Sequence, residues 1–176
     1  MYKSISESKR AYEEYILQHK QNVKDAWNHL QIEFSNYPFV TDKYINYYIT
    51  KLIDKHDNSK YEDIEFEPYR KYFYPTEEDI DKDIIQKEYD EAWIHHYSNN
   101  PHHWEYWVEF DKNKERECLR FIREAFLVER ICDWMAMSKY SHNKVVDWYN
   151  DNIGTMYLPD DDRKFIENII FKLKDY

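Results

Sequence analysis

Apolar positions in the first part of the chain recur at helical spacing. From residue 5 to 34, Tyr12, Tyr15, Ile16, His19, Val23, Ala26, Trp27 and Leu30 fall mostly three or four apart, the pattern of one stripe turned toward a core. His19 lies on that stripe. Pro38 interrupts it, and Thr41 stands where it can cap a second helix. The apolar face of that helix, Tyr44, Ile45, Tyr48, Ile49, Leu52 and Ile53, runs up to His56. An acidic stretch from Glu62 to Glu67 leads through Pro68 into the aromatic run Tyr69 to Tyr74, and Pro75-Thr76-Glu77-Glu78 reads as a further boundary. Together these predict a surface excursion.

A looser helical pattern covers about Asp79 to Tyr97 and ends at the turn Asn99-Asn100-Pro101, because proline disfavours helix in the residue before it. Residues 114 to 140 carry the longest uninterrupted helical pattern, with Leu119, Ile122, Phe126, Leu127, Arg130, Ile131 and Trp134 moving round a buried face and Asp133 beside it. Gly154 and Pro159 punctuate the tail. After them Asp160, Asp161 and Asp162 place negative charge at the start of a last helix, where the macrodipole favours it. The expected fold is all-α, a single-domain bundle of about six helices over residues 1–176. Its core is expected over about 12–140, with a C-terminal helical extension over about 141–176.

Composition narrows the function classes. A length of 176 residues suits one domain. The 34% of charged residues points toward disorder, but 19% aromatic residues supply the apolar area that disordered segments lack. One glycine and 5 prolines leave few positions for phosphate-cradling loops or tight hairpins, which disfavours Rossmann, P-loop and all-β folds. A net charge of -10 opposes binding to duplex nucleic acid. Cys118 and Cys132 fall in one predicted helix, about 21 Å apart, too far to pair with each other. Reduced thiols, no basic leader and no run approaching about 20 apolar residues together predict a soluble cytoplasmic protein without a membrane segment.

Candidate chemistry concentrates in three places. His56-Asp57-Asn58-Ser59-Lys60 sets an imidazole beside a carboxylate, with an ammonium one helical turn later. A carboxylate can bridge two cations and Lys60 could hold a phosphate. Next, His95-His96 and His102-His103 put four of the 8 histidines into nine residues among Trp93, Tyr97, Trp104, Tyr106 and Trp107. The aromatics fit a core better than a base-stacking surface. Last, Glu129 lies one turn before Asp133, where it could orient a ligand histidine or accept a proton from water.

The order His19, then His56-Asp57, then Asp133, each on or at the end of an amphipathic helix, resembles the HD metal-dependent phosphohydrolase superfamily. The histidine-rich stretch Ala92 to Trp107, together with Glu129-Arg130-Ile131-Cys132-Asp133-Trp134-Met135-Ala136-Met137, looks like an HD-related family of bacteria and their phages, over roughly residues 12 to 140. The resemblance implies an HD-like helical bundle in which His19, His56, Asp57 and Asp133 bind a divalent metal. His29 is the rival for the first position but lacks the Val-Ala-Leu stripe that follows His19. Dinuclear members take two more histidines, here one from each pair. His96 and His103 are assigned as ligands and His95 and His102 to the substrate, with the choice within each pair open.

The same resemblance implies metal-dependent hydrolysis of a phosphomonoester or phosphoanhydride, in a small substrate such as a nucleotide. One or two ions of Mn, Fe, Co, Ni or Zn suit the ligands. Asp57 or Glu129 would handle the proton of water, and Lys60 with the histidine cluster would steady the phosphoryl charge. Two other readings stand beside it: an HD-type dinuclear iron oxygenase, and a non-catalytic helical module that binds a nucleotide or a protein. The oligomeric state is left open by the sequence.

Overall fold

A computed structural model describes residues 2, 4–113, 120–141 and 143–173. Cys118, His142 and residues 114–119 of the predicted long helix lie outside them. The described residues form nine α-helices and no strand: α1 (Ile5–Glu33), α2 (Pro38–Thr41), α3 (Lys43–Lys55), α4 (Asp63–Phe73), α5 (Lys82–Asn99), α6 (Trp104–Asn113), α7 (Arg120–Ser141), α8 (Val145–Asn152) and α9 (Asp160–Ile170). The all-α expectation holds, while the count exceeds the six expected.

Local chemistry explains most boundaries. The single stripe of α1 is buried at Tyr12, Ile16, His19, Val23, Ala26, Trp27 and Leu30, so helical periodicity alone located it. The cap of α3 is Asp42, whose Oδ1 accepts from Tyr44 N at 2.8 Å and Ile45 N at 3.1 Å. The expected cap, Thr41, is instead the last residue of α2, and its hydroxyl donates back to Tyr37 O at 3.2 Å. Along α3 it is Ile49 and Ile53 that are buried, and Tyr44 faces solvent. Asp81 caps α5 by accepting from Ile84 N at 3.1 Å, which moves the start of that helix past the exposed Ile80.

The predicted surface excursion at 62–74 is α4, with Glu65, Tyr69 and Arg70 buried. Its acidic run hid a helical stripe. Pro68 sits inside the helix and forfeits one backbone bond, worth about 3 kcal/mol with its steric clash, and the packing of α4 along α5 offsets this.

The chain divides into two compact units, which meet in sequence within α1, between His56 and Asp57 and between Asn100 and Pro101. The first unit runs up to Gln18 and from Asp57 to Asn100. Its core is Tyr12 and Ile16 of α1 with Tyr69 and Ala92, edged by Tyr15, Phe66, Tyr74 and Tyr89. The second unit comprises His19–His56 and the chain from Pro101 onward. There α3 lies along α7, α8 and α9 also pack on α7, and the core joins Trp27, Leu30, Ile49, Ile53, Ile131 and Met135 to Tyr149 and Ile166. Among the described residues no helix is long and apolar enough to cross a membrane.

One ion pair ties the first unit to its acid stability. Arg70 donates to Asp79 through Nη1 at 2.6 Å and Nη2 at 3.1 Å, and Thr76 adds its backbone N–H and its hydroxyl, each at 2.8 Å. Arg70 first, with the Thr76 bonds, holds the Asp79 carboxyl at about 2, against burial that acts the other way. A depressed carboxylate stabilises the fold above its unfolded value of 3.8 and loses that contribution as pH falls through about 2. We expect Asp79→Asn to remove about 2 kcal/mol at neutral pH and to flatten the loss between about pH 4 and pH 2. Denaturant titrations followed by circular dichroism at the two ends of that window measure both effects.

Candidate metal centre

His19, His56 and Asp133 converge in the second unit. His19 arrives on the buried stripe of α1, His56 is the C-cap of α3, and Asp133 comes from α7. His19 Nε2 lies 3.1 Å from Asp133 Oδ1 and 3.3 Å from His56 Nε2, and His56 Nε2 lies 3.7 Å from the same carboxylate oxygen. Donor atoms about 2.0–2.2 Å from a tetrahedral or octahedral ion stand about 2.8–3.6 Å from one another. The triangle is close to that size. Both imidazoles are buried, and the Asp133 side chain keeps 15% of its surface exposed.

The other nitrogen of His56 decides what the first can do. Its Nδ1 lies 3.0 Å from Glu129 Oε1. A carboxylate only accepts, so Nδ1–H donates, and in the neutral ring Nε2 is left with its lone pair turned into the triangle. Burial by itself would raise the Glu129 carboxyl, but His102 and His56 outweigh it and hold it at about 2. Asp133 is held well below its usual range: burial raises it, and the neighbouring imidazoles of His19 and His56 reverse the sign. Two ionised carboxylates facing buried imidazoles make a donor set for a divalent cation, and these residues could hold one.

The same histidine has a second buried neighbour. The ring centroid of His102 lies 4.3 Å from that of His56, and its Nδ1 lies 3.5 Å from Glu129 Oε1. His56, His102 and Glu129 thus form a second group able to ligate an ion. The hydrogen bond that His56 Nδ1–H donates to Glu129 suits Glu129 to orienting that ring, and an ion could then lie on the other side. It is His102 of its pair that packs on His56, and the ring of His103 lies 4.3 Å from that of His102. His29, the rival for the first position, is on α1 about 15 Å beyond His19.

The remaining sequence candidates gather in the first unit. Asp57 has φ 55, the one left-handed non-glycine backbone among the described residues, a conformation Asp tolerates better than most residues. Its Oδ2 lies 2.7 Å from Lys60 Nζ and its Oδ1 lies 3.4 Å from His96 Nε2. Burial alone would lower the Lys60 ammonium, but Asp57 outweighs it and the net shift is upward, so Lys60 stays charged.

A residue that sequence reasoning missed organises this group. Glu65 of α4 is 0% exposed and faces His95 Nδ1 at 2.7 Å and His96 Nδ1 at 2.8 Å, one through each oxygen. Ser59 Oγ donates to the same carboxylate at 3.0 Å, and Asn100 Nδ2 donates to Ser59 Oγ at 2.9 Å. Burial would raise the Glu65 carboxyl, yet its hydrogen bonds with His96 and His95 bring it below the usual range. The signal was present at Glu65-Phe66 and Tyr69, one turn apart, but an acid inside an acidic run reads as solvated. Replacing Glu65 by Leu leaves two imidazoles and a hydroxyl without their acceptor, and we expect a loss of about 3 kcal/mol, with Glu65→Gln losing about half as much. Urea denaturation of the three proteins provides the comparison.

The chain was compared with known proteins on three levels. No curated protein and no solved structure matches it. The model of a family of unknown function, DUF5662, matches residues 8–172, a span that takes in His19, His56, Glu65, Glu129 and Asp133. On that match the chain belongs to DUF5662, a family of unknown function.

Proposed function

We infer that this protein is a metal-dependent phosphohydrolase acting on a small phosphomonoester or phosphoanhydride, with a nucleotide as the leading substrate class. The observation that carries the reading is the triangle of His19 Nε2, His56 Nε2 and Asp133 Oδ1, with Glu129 accepting the Nδ1–H of His56. The order of these residues along the chain, which resembles that of HD phosphohydrolases, supports the choice of reaction.

Two imidazoles and a carboxylate suit Mn, Fe, Co, Ni or Zn. When bound, a divalent cation supplies Lewis-acid activation of water and of a phosphoryl oxygen. The protein's own residues do the rest. His19, His56 and Asp133 bind the ion and leave positions open for substrate. Glu129 fixes the tautomer and the ring plane of His56. The buried rings of His19, His56 and His102 keep bulk water from that side, which strengthens the electrostatic contacts there. Sequence order, rather than a distance, brings Asp57 and Lys60 into this reading, as a carboxylate and a cation for the proton and the phosphate.

Two measurements test it. Elemental analysis of the purified protein is expected to find a divalent transition metal near stoichiometry, with His56→Ala and Asp133→Ala both losing it and losing metal-dependent turnover of a nucleotide and aryl-phosphate panel. Turnover that survives either substitution, or none under any of these metals, overturns the assignment. Glu129→Gln keeps the shape but weakens the hold on His56 Nδ1–H, and its metal affinity is expected to fall about ten- to a hundredfold in a competitive chelator titration.

A further inference from the structure

Arg130 is a buried cation that the metal centre does not use. It projects from α7 with 1% of its surface exposed. Nε donates to His102 O at 2.5 Å. Among the described residues the buried Nη2 makes no hydrogen bond, and Arg130 forms no ion pair. An arginine cannot shed its charge as a buried lysine can, and burying an unpaired charge costs several kcal/mol. A guanidinium in this state lacks an anion.

The carboxylates of the same unit that act on Arg130 through space do not supply one. Asp162 is committed to Arg123, with both its oxygens 3.0 Å from Arg123 Nε. Asp133 faces His19 in the triangle. Glu105 forms no ion pair with Arg130 among the described residues: its buried Oε2 makes no hydrogen bond, and burial pushes its carboxyl up. Burial likewise pulls Arg130 down, to about 10, which leaves it charged at neutral pH.

We propose that Arg130 anchors an oxyanion subsite in the second unit, its outer guanidinium nitrogens taking oxygens of a phosphoryl group. The flat fork of arginine matches two oxygens of such a group side by side, and a phosphoryl dianion supplies the charge the site lacks. The location fits. Arg130 stands three residues before Asp133 on α7, on the same side of the helix, and it holds the backbone of His102, whose ring packs on His56.

The identity of the ligand rests on the phosphohydrolase reading, and the test separates the two. Inorganic phosphate is titrated calorimetrically into the full chain in the presence of EDTA, so that no metal contributes, with acetate as the control anion. The wild type is expected to bind phosphate and not acetate. Arg130→Gln, which keeps a donor for the His102 carbonyl, is expected to bind it at least about tenfold more weakly. Arg130→Met is expected to unfold at a higher temperature than the wild type in phosphate-free buffer, because the unpaired charge is gone, and to lose that advantage as phosphate is added. Failure of the wild type to bind phosphate, or equal binding by Arg130→Gln, overturns the subsite. Should Arg130→Gln not fold, Arg130→Lys replaces it: loss of the fork weakens binding several-fold, and unchanged binding overturns the proposal. Metal content is measured on separate samples, so a protein that binds phosphate through Arg130 but no metal removes the hydrolase reading and leaves the subsite standing.

Discussion

His56 is held at both ring nitrogens, and much of the second unit's polar interior depends on that. Glu129 fixes one nitrogen as a donor at 3.0 Å, which in the neutral ring leaves the other to present a lone pair to His19 and Asp133. Three helices must therefore keep register with one another: α1 for His19, α3 for His56 and α7 for both acids. The apolar core of the unit is what holds them there. Trp27 and Leu30 continue the stripe that carries His19, Ile49 and Ile53 lie on the helix that ends at His56, and Ile131 and Met135 flank Asp133. The candidate metal centre is a polar interruption of a hydrophobic stripe, positioned by the packing on either side of it.

The first unit solves a similar problem with another carboxylate. Glu65 serves two imidazoles and a serine hydroxyl at once, so most of its lone pairs are satisfied, and its ionised state is the lower in energy although it is buried. Its neighbours in the core are mainly tyrosines, whose rings supply apolar area and whose hydroxyls keep a polar handle. In this unit aromatic rings carry most of the burial.

Arg130 differs from both. His19, His56, Asp133 and Glu65 each meet a partner of opposite character inside the protein, whereas Arg130 meets a single carbonyl among the described residues. Polar interiors that are fully satisfied hold a fold, and one left partly unsatisfied beside a candidate metal centre points to a ligand. The distances divide the labour: carboxylates orient imidazoles, imidazoles and one carboxylate converge where a cation could bind, and a guanidinium stays without a carboxylate partner among the described residues.

How much of this was legible in the sequence depends on how local each cause is. Helical spacing along α1 and α3 is written within single turns, so the buried stripe, the place of His19 on it and the arrival of His56 at a helix end could be read directly. The order His19, His56, Asp133 was legible for the same reason. Glu65 was not, because an acid in an acidic run reads as solvated until a helix thirty-one residues away brings His96 to it. Glu129 was legible as a neighbour of Asp133, one turn along α7, but its partner His56 is seventy-three residues distant. Nor could the sequence choose His102 over His103 against His56, since adjacent residues differ only in the direction a turn gives them. Arg130 appeared as one more position on a helix face, and its lack of an anion belongs to the packed state alone. The sequence by itself determined which faces are apolar and which residues could do chemistry, since these are properties of side chains and their spacing. Only tertiary structure decided which charges lose their water and what they meet in its place, because desolvation is a property of the packed interior.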